Sequence, residues 1–302
     1  MGKNRSGMSR ALVRRETTAG YLFLLPSLFF FLTFVIYPMV MCVFTSFFDS
    51  NMGKNTQDVF IGLANYKELF QDKVFLGALK NTFVIVVVSV PIVCAFSLWV
   101  ASAIYDMKPW LTSAFRCIFY LPVVTGSVAV TVVWKWMYNN YYGIFNYLFK
   151  GLGIIDKNIN WLGDTRTALG CIILILLTTS VGQPIVLYVS ALGNVDQSLV
   201  EAAEVDGANR CQVFWRIKWA QIMPTTLYIL IITMINSFQC FALIQLLTSG
   251  GPNHSTDTIM YYIYYTAFKL YRYGYGNAMG VVLMIIIAVL SAIQFKLGQT
   301  DQ

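Results

Sequence analysis

The chain has 302 residues, of which 57% are hydrophobic, 16% aromatic and only 12% charged, and its mean hydropathy is +0.63. A soluble domain carries about 25% charged residues, so this composition excludes an ordinary soluble protein and indicates a polytopic membrane protein. The net charge of +7 does not indicate nucleic-acid binding, because the basic residues lie at the ends of apolar runs, where they flank membrane spans.

Six apolar stretches follow one another along the chain, and each has the roughly 20 residues that cross a bilayer. Backbone groups in lipid must be bonded within their own segment, so we expect six transmembrane helices and an all-α fold. The predicted spans are about 21–47, 81–104, 114–137, 168–192, 221–247 and 276–297. The first apolar run exceeds the roughly 7–15 residues of a signal-peptide core, so we expect it to be retained.

Basic residues before the first span set the expected orientation. Residues 1–20 form a basic tail that includes Lys3, Arg5, Arg10, Arg14 and Arg15, and residues 21–302 form the membrane domain. Such a cluster favours a cytoplasmic N-terminus, and six spans then return the C-terminus to the same side. Lys and Arg are nearly even on the two sides in total, so the prediction depends on their density near the first span. The connections at 48–80, 138–167 and 248–275 then face outward.

Two of these outward connections are rich in aromatic residues. An aromatic belt at the depth of the lipid headgroups is the ordinary explanation for such rings. The alternative is that some of them form a mouth that receives a partner or a cargo. The rings are Trp134, Trp136, Tyr138, Tyr141, Tyr142, Tyr261, Tyr262, Tyr264, Tyr265, Tyr271, Tyr273 and Tyr275.

Cysteine and histidine usage indicates neither a metal site nor a catalytic centre. The six cysteines are scattered with no CxxC pair, and most lie inside apolar spans, so we expect free, buried thiols. They are Cys42, Cys94, Cys117, Cys171, Cys211 and Cys240. His254 is the only histidine, which argues against histidine-ligated zinc and against histidine-based catalysis.

The central parts of the spans contain no charged residue, which argues against a proton-coupled carrier and against a charged cargo at mid-membrane. Uncharged polar groups do cluster there in spans three, four and five. An unpaired hydroxyl or amide in lipid costs several kcal/mol, so these groups must face protein or a wet cavity. Interhelical hydrogen bonds are one explanation, and a site for a neutral, hydroxyl-rich ligand is the other. The groups are Thr125 and Ser127; Thr178, Thr179, Ser180 and Gln183; and Thr233, Asn236, Ser237 and Gln239.

The segment 196–219 is small-residue-rich, acidic and broken by glycine, and on the predicted topology it faces the cytoplasm. Ser198 and Glu201 have the spacing of a capping box at the start of a helix. Gly207 suits the left-handed conformation that ends a helix, and Asn209 with Gln212 is suited to cap a second one. Taken alone, the segment is an interfacial helical hairpin between spans four and five.

This segment resembles the EAA loop of ABC importer permeases, through Glu201-Ala202-Ala203, Gly207, Ile217 and Pro224. Ala220 departs from the pattern, since many members have a proline there. Further motifs are similar to those of the binding-protein-dependent carbohydrate permeases, and closest to the type of the larger maltose-transporter membrane subunit without its extra N-terminal helices and large external domain. These motifs are YLFLLPS (21–27), IGLANYKELF (61–70), ALKNT (78–82), YLP (120–122), NWLGD (160–164), LLTSGGP (246–252) and the IY..AF pattern (263–268).

The resemblance implies a type I ABC importer permease fold in a bacterial cytoplasmic (inner) membrane. It also implies a second permease subunit, two ATP-binding subunits and an extracytoplasmic solute-binding protein as partners. The chain lacks a GxxxxGK[ST] loop, so we expect it to bind no ATP or other cofactor and to catalyse no reaction itself. The residues expected to couple to the ATPase are Glu201, Ala202, Ala203, Asp206 and Gly207.

Sugar contacts in the maltose-type subunit fall on spans that match three to five here. Carried over by position, they predict a substrate pathway that overlaps the polar clusters found from depth. Val123, Gln183 and Asn236 stand where that subunit has aromatic residues, so maltose itself is not assigned. The pathway residues are Val123, Ser127, Thr179, Ser180, Gln183, Thr233, Asn236 and Ser237.

Two functions of other classes compete with this reading. An ion-coupled or facilitative secondary transporter of a neutral solute would need coupling ions and an internal repeat, and neither an intramembrane carboxylate nor a repeat is evident. A membrane enzyme acting on lipid-linked sugars would need a catalytic cluster near a membrane face, and none is evident either. A phosphorylated cargo such as glycerol phosphate is disfavoured, because the pathway residues are uncharged.

Overall fold

The structure is a computed structural model that describes residues 8–51 and 58–300. Residues 1–7 of the predicted basic tail, including Lys3 and Arg5, lie outside the described residues. The helices in the described part are α1 (Met8–Phe31), α2 (Tyr37–Thr45), α3 (Ala64–Leu69), α4 (Lys73–Ile104), α5 (Pro109–Val124), α6 (Ser127–Met137), α7 (Ile144–Gly151), α8 (Ala168–Ser180), α9 (Gly182–Gly193), α10 (Gln197–Val205), α11 (Arg210–Val213), α12 (Trp219–Phe238), α13 (Ala242–Leu247), α14 (Ile259–Tyr264) and α15 (Tyr273–Thr300).

Three π-helical turns extend these helices: Leu32–Ile36 joins α1 to α2, Phe214–Lys218 joins α11 to α12, and Tyr265–Lys269 follows α14. The strands β1 (Phe48–Asp49) and β2 (Val59–Phe60) form one short antiparallel ribbon. The described part of the chain is therefore helical apart from this ribbon, and the predicted all-α fold class is confirmed.

The long apolar helices lie on the predicted spans but begin earlier. Four segments of the described chain are long and apolar enough to cross a membrane: Glu16–Thr45, Lys73–Ile104, Arg210–Leu247 and Tyr273–Gly298. The count becomes six when each of two bent helix pairs is taken as one span. The second span begins at Lys73 rather than 81 because Asp72 caps it. The fifth begins at Arg210 because α11 continues into α12 through the π-helical turn.

Spans three and four are broken, where the sequence predicts single helices. α5 and α6 meet at 93° across Thr125 and Gly126, and α8 and α9 meet at 40° around Val181. Pro184 has no backbone N–H to offer the carbonyl of Ser180, so the hydrogen-bond ladder of the fourth span is interrupted at this point. Thr125 and Gly126 have extended backbone angles, which end α5 three residues after Pro122.

Helix α4 lies at the centre of the bundle and packs on α8, α9 and α12. Small residues on its buried face allow these helices to come close. Ser89 Oγ lies 3.1 Å from Ser237 Oγ on α12, and Ser97 Oγ donates to the carbonyl of Val181, 3.3 Å away. The part of helix α1 from Glu16 to Phe31, by contrast, has no buried residue within this chain. The bundle thus has a packed centre and a large apolar outer surface.

All six cysteines are free thiols, as predicted. Their expected burial is only partly correct, since Cys94, Cys171 and Cys240 are buried and Cys42 is half-buried. Cys117 on α5 and Cys211 on α11 are exposed. Both lie on helix faces that no other part of the described chain covers.

Two of the sequence motifs contact the same loop, which lies between α13 and α14. Asn81 Nδ2 donates to the carbonyls of Ser255 and Asp257, each 3.1 Å away, and Thr82 Oγ1 accepts from the backbone N–H of Ile259. Gly250 has a φ of 82°, and a side chain there would overlap the Asp257 carboxylate. The ALKNT and LLTSGGP stretches therefore fix the loop that leads into α14.

Candidate functional site

A cavity of ≈ 140 Å³ lies between α5, α9 and α12, at the break between α8 and α9. Six of the eight predicted pathway residues line it. They are Val123, Thr179, Ser180, Gln183, Thr233 and Asn236. The remaining lining residues were not predicted to belong to the substrate pathway. They are Pro184, Leu187, Ile229 and Ile232. The cavity therefore combines polar groups with an apolar wall, as small-molecule sites commonly do.

Gly182 brings α9 against α5 and so closes one side of this cavity. A side chain at position 182 would overlap the Phe119 carbonyl oxygen and approach Val123 Cγ2 to 2.8 Å. Only a glycine allows the two helices to come this close. The sequence could have indicated this contact, because Gly182 lies between two predicted pathway residues, Ser180 and Gln183.

The polar groups of the cavity differ in how they are satisfied. Thr179 Oγ1 donates to the carbonyls of Ile175 and Leu176 in its own helix, each 3.1 Å away. The carboxamides of Gln183 and Asn236 are exposed and have no hydrogen-bond partner in the described chain. Each offers two donors and one acceptor to a ligand. None of the ten described lining residues is charged.

Ser127 and Ser237 are not among the lining residues. Ser237 is 3% exposed, and its hydroxyl pairs with that of Ser89, so this serine makes the interhelical contact that was the alternative explanation. Ser127 is the first residue of α6, beyond the bend, and its carbonyl accepts from Thr131 Oγ1 at 2.6 Å. Depth in the span places both serines at the level of the cavity, but their helix faces point elsewhere.

A second cavity of ≈ 330 Å³ lies at the bend between α5 and α6, and we call it the elbow groove. It is lined by Leu121, Pro122, Thr125, Ala129, Val130, Val133, Trp134, Thr178 and Thr179. Thr179 also lines the first cavity, so the two are contiguous at this side chain.

The acidic segment forms two helices, α10 and α11, joined at Gly207. Gly207 has a φ of 81°, the left-handed conformation expected for it. The second cap is confirmed, since Asn209 and Gln212 bond each other's backbone N–H groups in a capping box. The first cap was wrong: Asp196, not Ser198, precedes the helix, and its Oδ1 accepts from Ser198 N at 3.0 Å. Glu201 lies in the second turn and does not reach back.

One face of the segment is anchored and the other is exposed. Val200 and Val213 are each 4% exposed and pack into the core of the bundle. Glu201, Ala202, Asp206 and Gly207 are exposed, whereas Ala203 is half-buried. A cleft of ≈ 380 Å³ opens between the two helices, lined by Ala203, Asp206, Gly207, Ala208, Gln212, Val213, Arg216 and Ile217. Four of the five predicted coupling residues therefore present surface to a partner.

Two side chains connect this segment to the rest of the bundle. Lys218 Nζ donates to Tyr105 OH and lies over the Tyr105 ring, 4.5 Å from its centroid, at the end of α4. Gln221 Oε1 accepts from the backbone N–H of Asp196 at 3.0 Å. These contacts join the segment 196–219 to both α4 and α12.

A single carboxylate, Asp72, fixes the opposite end of α4. Its Oδ1 accepts from the backbone N–H groups of Val74 and Phe75, and its Oδ2 accepts from Tyr262 OH and Tyr275 OH at 2.7 and 2.9 Å. Burial raises the pKa of Asp72, but the hydrogen bonds to its charged form together lower the pKa by more than burial raises it. The pKa of Asp72 therefore lies below the ordinary value.

Comparison with known proteins gives one family. The family model described as "Binding-protein-dependent transport system inner membrane component" matches residues 61–299. The probable ABC transporter permease protein YurN of Bacillus subtilis is 33% identical over 293 residues, covering 96% of this chain and 99% of the relative. The lactose transport system permease protein LacF of Rhizobium radiobacter is 31% identical, covering 94% and 95%.

A solved structure shares the fold. It is the crystal structure of a bacterial ABC transporter involved in the import of the acidic polysaccharide alginate, matched with a TM-score of 0.81 and 23% identity over 95% of this chain and 96% of that chain. At this identity the likeness concerns the arrangement of the helices.

Proposed function

Because this chain belongs to the family of binding-protein-dependent transport system inner membrane components, a family of ABC importer permeases, we propose that it forms half of the translocation pathway for a neutral sugar or oligosaccharide. A second permease subunit supplies the other half, and two separate ATP-binding subunits drive transport through the segment 196–219. An extracytoplasmic solute-binding protein delivers the cargo. Both termini lie in the cytoplasm.

The cavity between α5, α9 and α12 carries this proposal. Its lining combines two exposed carboxamides with hydroxyls and apolar side chains, and no described lining residue is charged. Such a surface suits a ligand with many hydroxyls and no net charge, because a charged group there would be desolvated without a counter-ion. One relative is a lactose transport system permease protein, and lactose is a neutral sugar, which supports a neutral cargo here. The alginate importer handles an acidic polysaccharide on the same fold, so the fold does not select the cargo's charge.

The acidic segment supports the coupling role. Its anchored face and its links to α4 and α12 allow a partner that grips the exposed face to bias the bundle between two states. The cleft beside Gly207 offers that partner a shaped surface with Asp206 at its rim. ATP is then hydrolysed by the partner, and this chain itself binds no cofactor.

Substitution at Asn236 tests the cargo site. Asn236→Leu removes a carboxamide from the cavity and is expected to impair ATP-driven sugar uptake by reconstituted transporter, with normal assembly of the complex. Gln239→Leu is the matched control, since Gln239 is exposed three residues away and does not line the cavity. Uptake kinetics unchanged in Asn236→Leu would remove this residue from the site.

Substitutions at Glu201 and Gly207 test the coupling segment. Glu201→Lys reverses a charge on the exposed face, and Gly207→Pro is incompatible with a φ of 81° because proline requires about −65°. We expect both variants to insert and both to lose uptake while ATP hydrolysis no longer responds to cargo. Glu16→Lys, an exposed charge reversal on α1, serves as the control. Normal uptake by both variants would refute the docking role.

A further inference from the structure

A third cavity, of ≈ 400 Å³, lies on the connection between α6 and α8, and we call it the outer pocket. It is lined by Trp136, Tyr141, Tyr142, Gly143, Ile144, Asn146, Tyr147, Lys150 and Asn158. Its four large aromatic rings are 55% (Trp136), 85% (Tyr141), 63% (Tyr142) and 79% (Tyr147) exposed. Trp136, Tyr141 and Tyr142 are among the rings that the aromatic-belt explanation places at the lipid headgroups, and Tyr147 was not singled out.

The backbone beneath the rings is fixed by a buried amide. Asn146 is 2% exposed, and its Nδ2 donates to the carbonyls of Asn140 and Ile159 at 3.1 and 3.0 Å. Its Oδ1 accepts from Ile159 N and Trp161 Nε1. All the hydrogen-bonding groups of this side chain are therefore used to join the two ends of the connection.

The turn that carries two of the rings is equally constrained. Asn139 Oδ1 accepts from the backbone N–H groups of Tyr141 and Tyr142 at 2.8 and 3.3 Å. Gly143 packs against the carbonyl oxygens of Met137 and Asn139, where a side chain would overlap them. The rings thus stand on a preformed turn, which lowers the entropic cost of binding a ligand.

A separate layer of aromatic rings forms the core of this connection. Phe145 stacks on Tyr138 and Trp134 with centroids 4.9 and 6.0 Å apart, and Phe149 lies 5.6 Å from Trp161. This inner layer holds α7 against α6. The exposed rings of the outer pocket are not needed for that packing, so their surface remains available to a ligand.

The outer pocket and the elbow groove lie along the same face of α6. Ala129, Val133 and Trp136 lie on this face, at spacings of four and three residues. Ala129 and Val133 line the elbow groove, and Trp136 lines the outer pocket. The elbow groove in turn shares Thr179 with the cavity. The three spaces therefore follow one another in order along α6 and α8.

We propose that the outer pocket is a carbohydrate subsite, in which a pyranose ring of the cargo rests on the aromatic faces before it enters the cavity. This inference rests on the proposed function. Aromatic faces pack against the C–H faces of sugars, while Lys150 and Asn158 supply polar contacts for hydroxyl groups. A lipid acyl chain would bond to neither of these polar side chains.

Photocapture tests the subsite. Photoreactive derivatives of lactose and of maltopentaose are irradiated with the complete purified transporter, without its binding protein, in lipid nanodiscs, and the adducts are mapped by mass spectrometry. We expect adducts within residues 136–158. Tyr142→Ala is expected to reduce this capture about tenfold, as loss of one aromatic contact predicts, whereas Tyr142→Phe retains it. Phe70→Ala removes an exposed ring outside the pocket and is expected to leave capture unchanged.

Three outcomes overturn the subsite: adducts confined to the central cavity, equal capture by Tyr142→Ala and wild type, or capture of a photoreactive phospholipid in place of both sugars. ATP-driven uptake measured on the same preparations separates this inference from the proposed function. If the wild type takes up sugar but shows no capture within residues 136–158, the outer subsite is refuted and the proposed function is not. Absence of ATP-driven uptake of any sugar by the wild type removes the proposed function itself.

Discussion

At the scale of single residues, Asp72 joins three helices through one carboxylate. It caps α4 with one oxygen and binds Tyr262 and Tyr275, which belong to α14 and α15, with the other. Asparagine at this position keeps the oxygen that caps α4. In place of Oδ2, which accepts from the two phenol groups, it has an NH2 group, which can only donate. We expect Asp72→Asn to lower the free energy of unfolding of the complex by about 1–2 kcal/mol, measured by thermal melting in nanodiscs. Asp156→Asn, at an exposed site, is the control, and equal melting of the two variants would contradict the expectation.

The pH dependence of the same contact has a definite sign. The pKa of Asp72 is lowered from its ordinary value of 3.8 in the folded chain, so the ionised carboxylate stabilises the fold. That contribution is fully present above the ordinary pKa and is lost as the pH falls through the lowered one. The difference in melting temperature between wild type and Asp72→Asn should therefore be constant near neutrality and shrink in acid. A difference that persists at a pH well below 3.8 would assign it to another cause.

Helix caps show what the sequence can and cannot specify at this scale. Asn209 and Gln212 were correctly predicted to cap the second helix, because the residue before them, Ala208, is a poor N-cap, and the cap proves to be a capping box. Asp196 and Ser198 are both good N-cap residues, two positions apart. Burial of Val195 and Val200 fixes where α10 begins, and that choice depends on packing that no local pattern reports.

At the scale of helices, hydropathy predicted which stretches are helical but not where they bend. Pro122 and Pro184 were visible, yet prolines are tolerated in membrane helices without a break, as Pro26 in α1 and Pro91 in α4 demonstrate. The early start of the fifth span was missed for a different reason. Arg216 and Lys218 interrupt the apolar run, although the backbone continues through them as a π-helical turn.

Contact between α5 and α9 provides a prediction for helices. Gly182→Leu forces the two helices apart at the Phe119 carbonyl and so opens the wall of the cavity. Overpacking of this kind costs about 1–3 kcal/mol, so the variant should melt earlier and transport its sugar more slowly. Gly170→Leu changes a helical glycine of α8 that has open space around it and should be tolerated. Equal effects of the two substitutions would show that the close approach is unimportant.

At the scale of the molecule, the cavity is formed by residues more than a hundred positions apart in the sequence. Depth within each span, together with the resemblance to sugar permeases, brought Val123, Gln183 and Asn236 into one predicted site, and the structure places them together. The same reasoning included Ser127 and Ser237, because depth fixes the level of a residue but not the helix face on which it lies. The outer pocket was predicted only as the alternative, a mouth for a partner or a cargo, since an aromatic belt at the lipid headgroups has the same composition.

Orientation in the membrane underlies both the coupling segment and the outer pocket, and two single-cysteine proteins test it. One retains only the native Cys211, which is exposed on α11 next to the coupling residues. The other has no native cysteine and carries Tyr141→Cys in the outer pocket, where Tyr141 is 85% exposed. In intact cells, a membrane-impermeant maleimide should label the second protein and not the first. Inside-out vesicles should reverse the pattern.

The two labels are informative only as a pair, because failure of one thiol to react has causes other than topology. Reciprocal labelling in the two preparations cannot arise from a thiol that is merely shielded or ionised differently, since the same protein reacts in one preparation and not in the other. Labelling of Cys211 from outside the cell would place α10 and α11 away from any cytoplasmic ATPase. The coupling proposal and the outer subsite would then fail together, because both depend on the same direction of insertion.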